Sequence, residues 1–169
     1  MFKAAQKVVH VSIPSKQYLT FALGKEVFAL DILVVKEIIQ YTEISGVPMM
    51  PDYIRGIINL RGAVVPVIDL HVRFGQSAAQ VGKRSCIIIL EVALQGQTFI
   101  IGAMVDAVSA VIDVPDQQIE PPPRFGDQAR NAFISGIGKI GEQFIIILNI
   151  NKTFSIEELE AMSTAIHAT

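Results

Sequence analysis

The chain has 169 residues, room for one ordinary domain or two very small β units with a real core. Apolar residues make up 51% and charged residues 18%, and the net charge of −2 carries no electrostatic footprint for nucleic acid. A single cysteine excludes a disulfide framework and fits a reducing cytoplasm. No apolar run approaches the roughly 18 residues of a membrane span, because Arg61, Asp69, Glu91 and Asp106 interrupt the candidates.

Residues 1–16 read as a loosely held leader and, lacking a continuous apolar core after Lys3 and Lys7, not as a secretory signal. Two β-prone runs, 17–23 and 27–32, flank Gly24-Lys25-Glu26, which is a hairpin signal. The Ile- and Val-rich run 32–39 predicts a strand, 46–51 a loop, and 52–55 a short helical turn after Pro51.

The stretch 53–70 organises the rest. Asn59-Leu60-Arg61-Gly62 breaks two apolar runs and reads as a tight connection in which Gly62 is free to take φ > 0. Pro66 cannot donate to a ladder, so its strand is expected to have an edge or a bulge there. Arg61 is thereby presented beside a rigid β segment, a docking feature more than a catalytic one.

The second half repeats the first. Ile54, Gly56 and Ile57 recur as Ile134, Gly136 and Ile137, and Val65, Val67 and Ile68 as Ile145, Ile147 and Leu148, at a constant offset of 80 residues. Upstream, Val35 and Ile38 recur as Val108 and Val111 at an offset of 73, with the difference taken up in the loop 121–130. Two small β units with separate apolar centres follow, with 75–82 as the linker by composition. Ser155-Ile156-Glu157-Glu158 is a capping-box pattern. Ile156, Leu159, Met162 and Ile166 follow it at helical spacing, predicting an amphipathic helix docked on a β unit.

Catalytic and cofactor patterns are weak. Gly136-Ile-Gly138-Lys-Ile-Gly141 matches the dinucleotide fingerprint, but the mechanism needs a helix after the third glycine and a strand-like run follows. His10, His71 and His167 are far apart with no second ligand at metal spacing, and His71 reads as a surface residue. Cys86 reads as a small buried core residue, and Asp31, Asp69 and Asp106 as turn or cap residues. The expectation is a non-enzyme with no cofactor and no metal. Read from the residues alone, Arg61 makes a structural ion pair with a neighbouring acid.

Asn59-Leu60-Arg61-Gly62, Val65-Pro66-Val67-Ile68-Asp69-Leu70 and Arg73-Phe74-Gly75 resemble the CheW-like family of bacterial chemotaxis coupling proteins. So do Gln17-Tyr18-Leu19-Thr20-Phe21, Leu30-Asp31-Ile32, Val35-Lys36-Glu37-Ile38 and Val105-Asp106-Ala107-Val108, and the resemblance spans 17–151. It implies a mainly β fold of two five-stranded SH3-like barrels, about 17–82 and 83–151, with a C-terminal helix at about 155–167. It also implies a cytoplasmic adaptor without enzymatic activity, drawn to the inner face of the membrane. There it couples the tip of methyl-accepting chemoreceptors to the regulatory domain of a CheA-like histidine kinase. The resemblance reverses the reading of Arg61 by placing Val35, Glu37, Gly56, Asn59 and Arg61 at a receptor-facing groove. Tyr53, Ile54 and Ile57 are candidates for groove lining or core.

The family more often has Arg where this chain has His71. The second repeat lacks the polar signature of the first, with Ala110 in the place of Glu37 and Lys139-Ile140-Gly141-Glu142 in the place of the Asn-Leu-Arg-Gly motif. A paralogue serving twitching, gliding or another kinase pathway is the alternative within the family. Outside it stand a β-barrel binder of nucleic acid or oligosaccharide, disfavoured by the absence of Trp, and a hydrolase with an unrecognised site.

Overall fold

The computed structural model describes residues 14–122 and 132–168. His10, most of the leader and most of the loop 121–130 lie outside them, as does the side chain of His167. Strands β1 (Ser15–Leu23) and β2 (Glu26–Asp31) make the expected hairpin, with Leu23 opposite Glu26 and Gly24 at φ 63°. The strand expected from residue 32 starts later. The Asp31 side chain accepts from the Leu33 N–H at 2.9 Å and caps a 3-10 turn over Ile32–Val34 before β3 (Val35–Gln40).

The next hairpin is β4 (Ile54–Leu60) and β5 (Ala63–Asp69). Residues 52–53 form only a turn: Ile54 donates once to the Pro51 carbonyl, then enters the ladder opposite Ile68. The helical turn expected over 52–55 is therefore absent. A short helix that the sequence did not signal, α1 (Leu70–Arg73), follows β5, started by the Asp69 side chain accepting from the His71 and Val72 N–H groups. Then come β6 (Cys86–Leu94), β7 (Gln97–Val105), β8 (Ala107–Pro115), β9 (Ile119–Glu120), β10 (Ile134–Ile140), β11 (Gln143–Leu148) and α2 (Ile156–Ala168).

Two sheets result, ordered β3-β6-β7-β5-β4 and β8-β1-β2-β11-β10-β9. The first is built from the contiguous stretch 35–105, whereas the second joins 15–31 to 107–148. The expected division after residue 82 thus cuts through the five-stranded sheet. Its physical cause is two parallel pairings: β5 takes β7 as its neighbour, with Val67 opposite Gly102, and β11 takes β2, with Ile147 opposite Ala29. Neither strand order closes on itself among the described residues, so the expected barrels are open sheets packed together. Pro66 sits opposite Ile57 just before β7 joins β5 at Val67, a local edge inside an otherwise central strand.

Alternation places the core. In β6, Ile88, Leu90 and Val92 face a shared core between the sheets, which also takes Leu19, Phe21, Ile68 and Leu148. Ile87 and Ile89 face the opposite way, into a private cluster with Val65, Val67 and Met104. The other sheet has its own private cluster of Tyr18, Ala29, Val114, Ile145 and Ile147.

The repeat is exact in its irregularity, since β4–β5 and β10–β11 each slip register once, between Ile54 and Gly56 and between Ile134 and Gly136. Gly56 adopts φ 149°, and a Cβ there would lie 2.1 Å from the Ser45 carbonyl oxygen. Gly56→Ala should lower the melting temperature markedly, whereas Gly46→Ala, which has open space around it, should not. Equal melts for the two variants would show that the backbone approach at Gly56 is not tight.

Candidate functional site

Pairing of Leu60 with Ala63 leaves Arg61-Gly62 as a two-residue loop, with φ 50° and 90°. Positive φ at both positions is the type I′ pattern, whose twist matches the flanking strands. The Asn59 side-chain oxygen accepts from the Gly62 N–H at 2.8 Å and braces the loop. Arg61 therefore projects from a stiff base. Its guanidinium donates Nη1–H to Glu37 Oε1 at 3.1 Å and Nη2–H to Glu37 Oε2, a two-point pair between the loop and β3.

The Arg61 hydrogen bonds hold the Glu37 carboxyl below its ordinary value, and Glu37 in turn raises Arg61. The Arg61 side chain is 70% exposed, and exposed ion pairs add little to folding stability. Its pairing fixes the direction of two charges at the surface.

The pair stands at the rim of a groove of about 780 Å³, lined among others by Val64, Phe99, Leu159 and Met162. The floor comes from β5, β6 and β7, and α2 supplies one wall. Of the residues that the sequence singled out, Glu37 and Arg61 line this groove. Val35 is half-buried and packs on the shared core. Gly56 is buried under Ser45, and Asn59 supports the loop from outside. Ile54 is in the core, and Ile57 exchanges backbone hydrogen bonds with Ser45. Tyr53 lies beneath the start of α2, away from the groove lining.

Sequence reasoning missed the clamp that seats α2. Arg73, on α1, donates to both Glu158 carboxylate oxygens at 2.7 and 2.9 Å and to the Thr153 carbonyl at 2.6 and 3.0 Å. Its guanidinium carbon lies 4.7 Å from the ring centroids of both Tyr53 and Phe154. The Tyr53 hydroxyl donates to Glu158 at 3.0 Å, and burial, reinforced by Glu158, pushes it up to about 12. The capping box read from the sequence is present, with Ser155 and Glu158 bonding each other's backbone N–H. That box was the one available signal for Glu158; Arg73 stood in the Arg73-Phe74-Gly75 match, but nothing there pointed to this partner.

A family model described as a CheW-like domain matches residues 17–158. The chain belongs to the CheW-like family. It is 37% identical over 144 residues to a chemotaxis protein CheW of Klebsiella aerogenes, covering 85% of this chain and 84% of that one. It is 33% identical to a chemotaxis protein CheW of Rhizobium meliloti, covering 90% and 96%. The crystal structure of the scaffolding protein TtCheW from Thermoanaerobacter tengcongensis superposes with a TM-score of 0.74 at 39% identity, covering 86% of this chain and 96% of that one.

Within this CheW-like fold the remaining candidates resolve into supports. His71 is not a surface residue. Its Nε2 lies 3.0 Å from Asp106 Oδ2 and its Nδ1 3.0 Å from Gln76 Oε1, while Asp106 also accepts from the Gly24 N–H at 2.6 Å. These contacts tie α1 to the junction of β7 and β8 and to the β1–β2 turn. Asp31 and Asp69 are caps as expected; Asp69, fully buried, also accepts from the Ala79 N–H and from Arg55. Cys86 is half-buried at the start of β6. The glycine fingerprint falls on the β10–β11 hairpin, where Gly141 opens a strand instead of a helix. Among the described residues no helix is long and apolar enough to cross a membrane.

Burial works to raise the Glu158 carboxyl, but its hydrogen bonds with Arg73 and Ser155 outweigh that and hold it below the ordinary glutamate value of 4.5. A depressed folded value stabilises above the unfolded one and is lost as pH falls through it. The protection of α2 amides relative to their intrinsic exchange rates should thus hold from neutral pH down to about 4.5 and should fall below that. Glu158→Gln should flatten the profile; a wild-type profile in that variant would show that the carboxylate does not seat the helix.

Proposed function

We propose that this CheW-like chain is a non-catalytic chemotaxis adaptor, coupling transmembrane chemoreceptors to a CheA-like histidine kinase from the cytoplasmic face of the membrane. The carrying observation is the Arg61–Glu37 pair, exposed and rigidly mounted at the rim of an apolar groove, in a family whose relatives are named chemotaxis protein CheW and scaffolding protein.

The groove has the form that takes the apolar ridge of a helical hairpin, the secondary structure implied for a receptor tip. Burial of that ridge supplies affinity, and the two fixed rim charges set register and partner choice. The kinase regulatory domain binds a separate surface. If joint binding favours one kinase state, linkage requires the receptor and the kinase to change each other's affinity by the same factor.

The test is a pair of titrations of the purified chain, with a receptor tip fragment and with the kinase regulatory domain, each repeated in the presence of the other. Binding to both with a reciprocal change in affinity supports the adaptor. Binding to neither overturns it.

A further inference from the structure

The groove has two walls of different origin. The rim pair and the floor residues Val64, Val65 and Pro66 belong to the five-stranded sheet, whereas Leu159, Met162 and Ile166 belong to α2. α2 follows the last strand of the other sheet, so the width of the groove depends on how that helix is held.

We propose that Arg73 is the positioning residue of this groove, holding α2 as its second wall and so setting affinity for a helical receptor tip without touching it. The proposal rests on the receptor reading of the groove given above.

Continuity of chain is the first support. β5 supplies the floor at Val64–Pro66 and runs through Asp69 directly into α1, where Arg73 sits. One short rigid unit therefore carries both floor and clamp. The second support is leverage. Arg73 grips the first turn of α2 at Glu158, and Ile166 lies eight residues farther on, about 12 Å along the axis at helical rise. A small tilt at the clamp moves the far wall by much more.

Chemistry is the third support. Arg73 combines a two-point carboxylate contact, two bonds to the Thr153 carbonyl and stacking between Tyr53 and Phe154. A lysine has one cationic centre and no plane, so it reproduces the charge and not the clamp.

The experiment compares Arg73→Ala, Arg73→Lys and Glu158→Gln with Arg61→Glu in the full chain. Each variant is titrated with a receptor tip fragment and with the kinase regulatory domain, and amide exchange is read separately for 156–168 and for the strands. Arg73→Ala should weaken receptor binding by about tenfold, the order expected when a central contact surface is displaced, with faster exchange in α2 alone and unchanged kinase-domain binding. Arg73→Lys should fall between wild type and Arg73→Ala.

If Arg73→Ala also loosens the strands, Glu158→Gln decides, because it weakens the clamp from the helix side and leaves the capping hydrogen bonds possible. It should raise α2 exchange and the receptor Kd together. Faster α2 exchange with wild-type receptor affinity overturns the proposal, and so does unchanged exchange in both variants. Wild-type receptor affinity in folded Arg61→Glu would instead overturn the groove reading beneath it.

Discussion

Arg61→Glu is expected to abolish or sharply weaken binding of a receptor tip fragment while the circular dichroism spectrum stays that of the wild type. The fold should tolerate the change because the Arg61 side chain is 70% exposed and its pairing with Glu37 contributes little to stability. Docking should not tolerate it. The variant places two carboxylates side by side at the groove rim, and like charges at an interface suppress the correct partner as effectively as complementary ones select it. Glu37→Lys should have the same effect through two cations. On the proposed two-surface reading, kinase-domain binding should survive in both.

The swapped double variant Arg61→Glu with Glu37→Arg separates two roles. If the pair only staples the loop to β3, the swap restores receptor binding. If the partner reads the charges themselves, the swap leaves binding lost, which is the expected result. Equal loss of both interactions in the single variants would point to a shared site or a damaged sheet. Wild-type receptor binding in folded Arg61→Glu would return Arg61 to a structural role.

The second large effect concerns the two private clusters. Val67→Asp and Ile147→Asp should each unfold the chain or bring it close to unfolding. Val67 is fully buried among Ile58, Val65, Ile87 and Met104, and Ile147 is 3% exposed among Ala29, Val114 and Ile145. A carboxylate there is buried among apolar side chains, and the penalty belongs to the class that exceeds about 4 kcal/mol, a large part of the usual 5–15 kcal/mol of a domain. Thermal and urea melts check this. A melt unchanged in either variant would show that the facing of β5 or β11 is misassigned.

Those positions were legible from the sequence because their information is local. The offset of 80 residues that joins Val67 to Ile147 also joins Gly56 to Gly136, and the two hairpins reproduce the same register slip. Hairpins announce themselves through short turns, as at Gly24 and Arg61-Gly62. The assembly of the sheets did not announce itself. Ile87-Ile88-Ile89-Leu90 is apolar on both faces, so its pattern says that it is buried and nothing about which strand lies beside it.

The candidate site divided in the same way. Arg61 and Glu37 stood out by motif, and the loop geometry explains why. The roles of Arg73 and His71 were not legible, because their partners, Glu158 and Asp106, lie 85 and 35 residues away. Val35, Gly56 and Asn59 travelled with the motif, but the structure finds them in packing and bracing.

Among the described residues the chain passes between the two sheets twice along its strands, through the turn at Ile32–Val34 and through the single residue Asp106. A common apolar core joins them as well, since Leu19, Phe21 and Leu148 of one sheet pack with Ile68, Ile88 and Leu90 of the other. The groove takes its floor from one sheet and its helical wall from the chain that leaves the other. Close-packed interiors transmit strain, so a volume change in that core, far from the rim pair, is expected to reach the groove and alter its width.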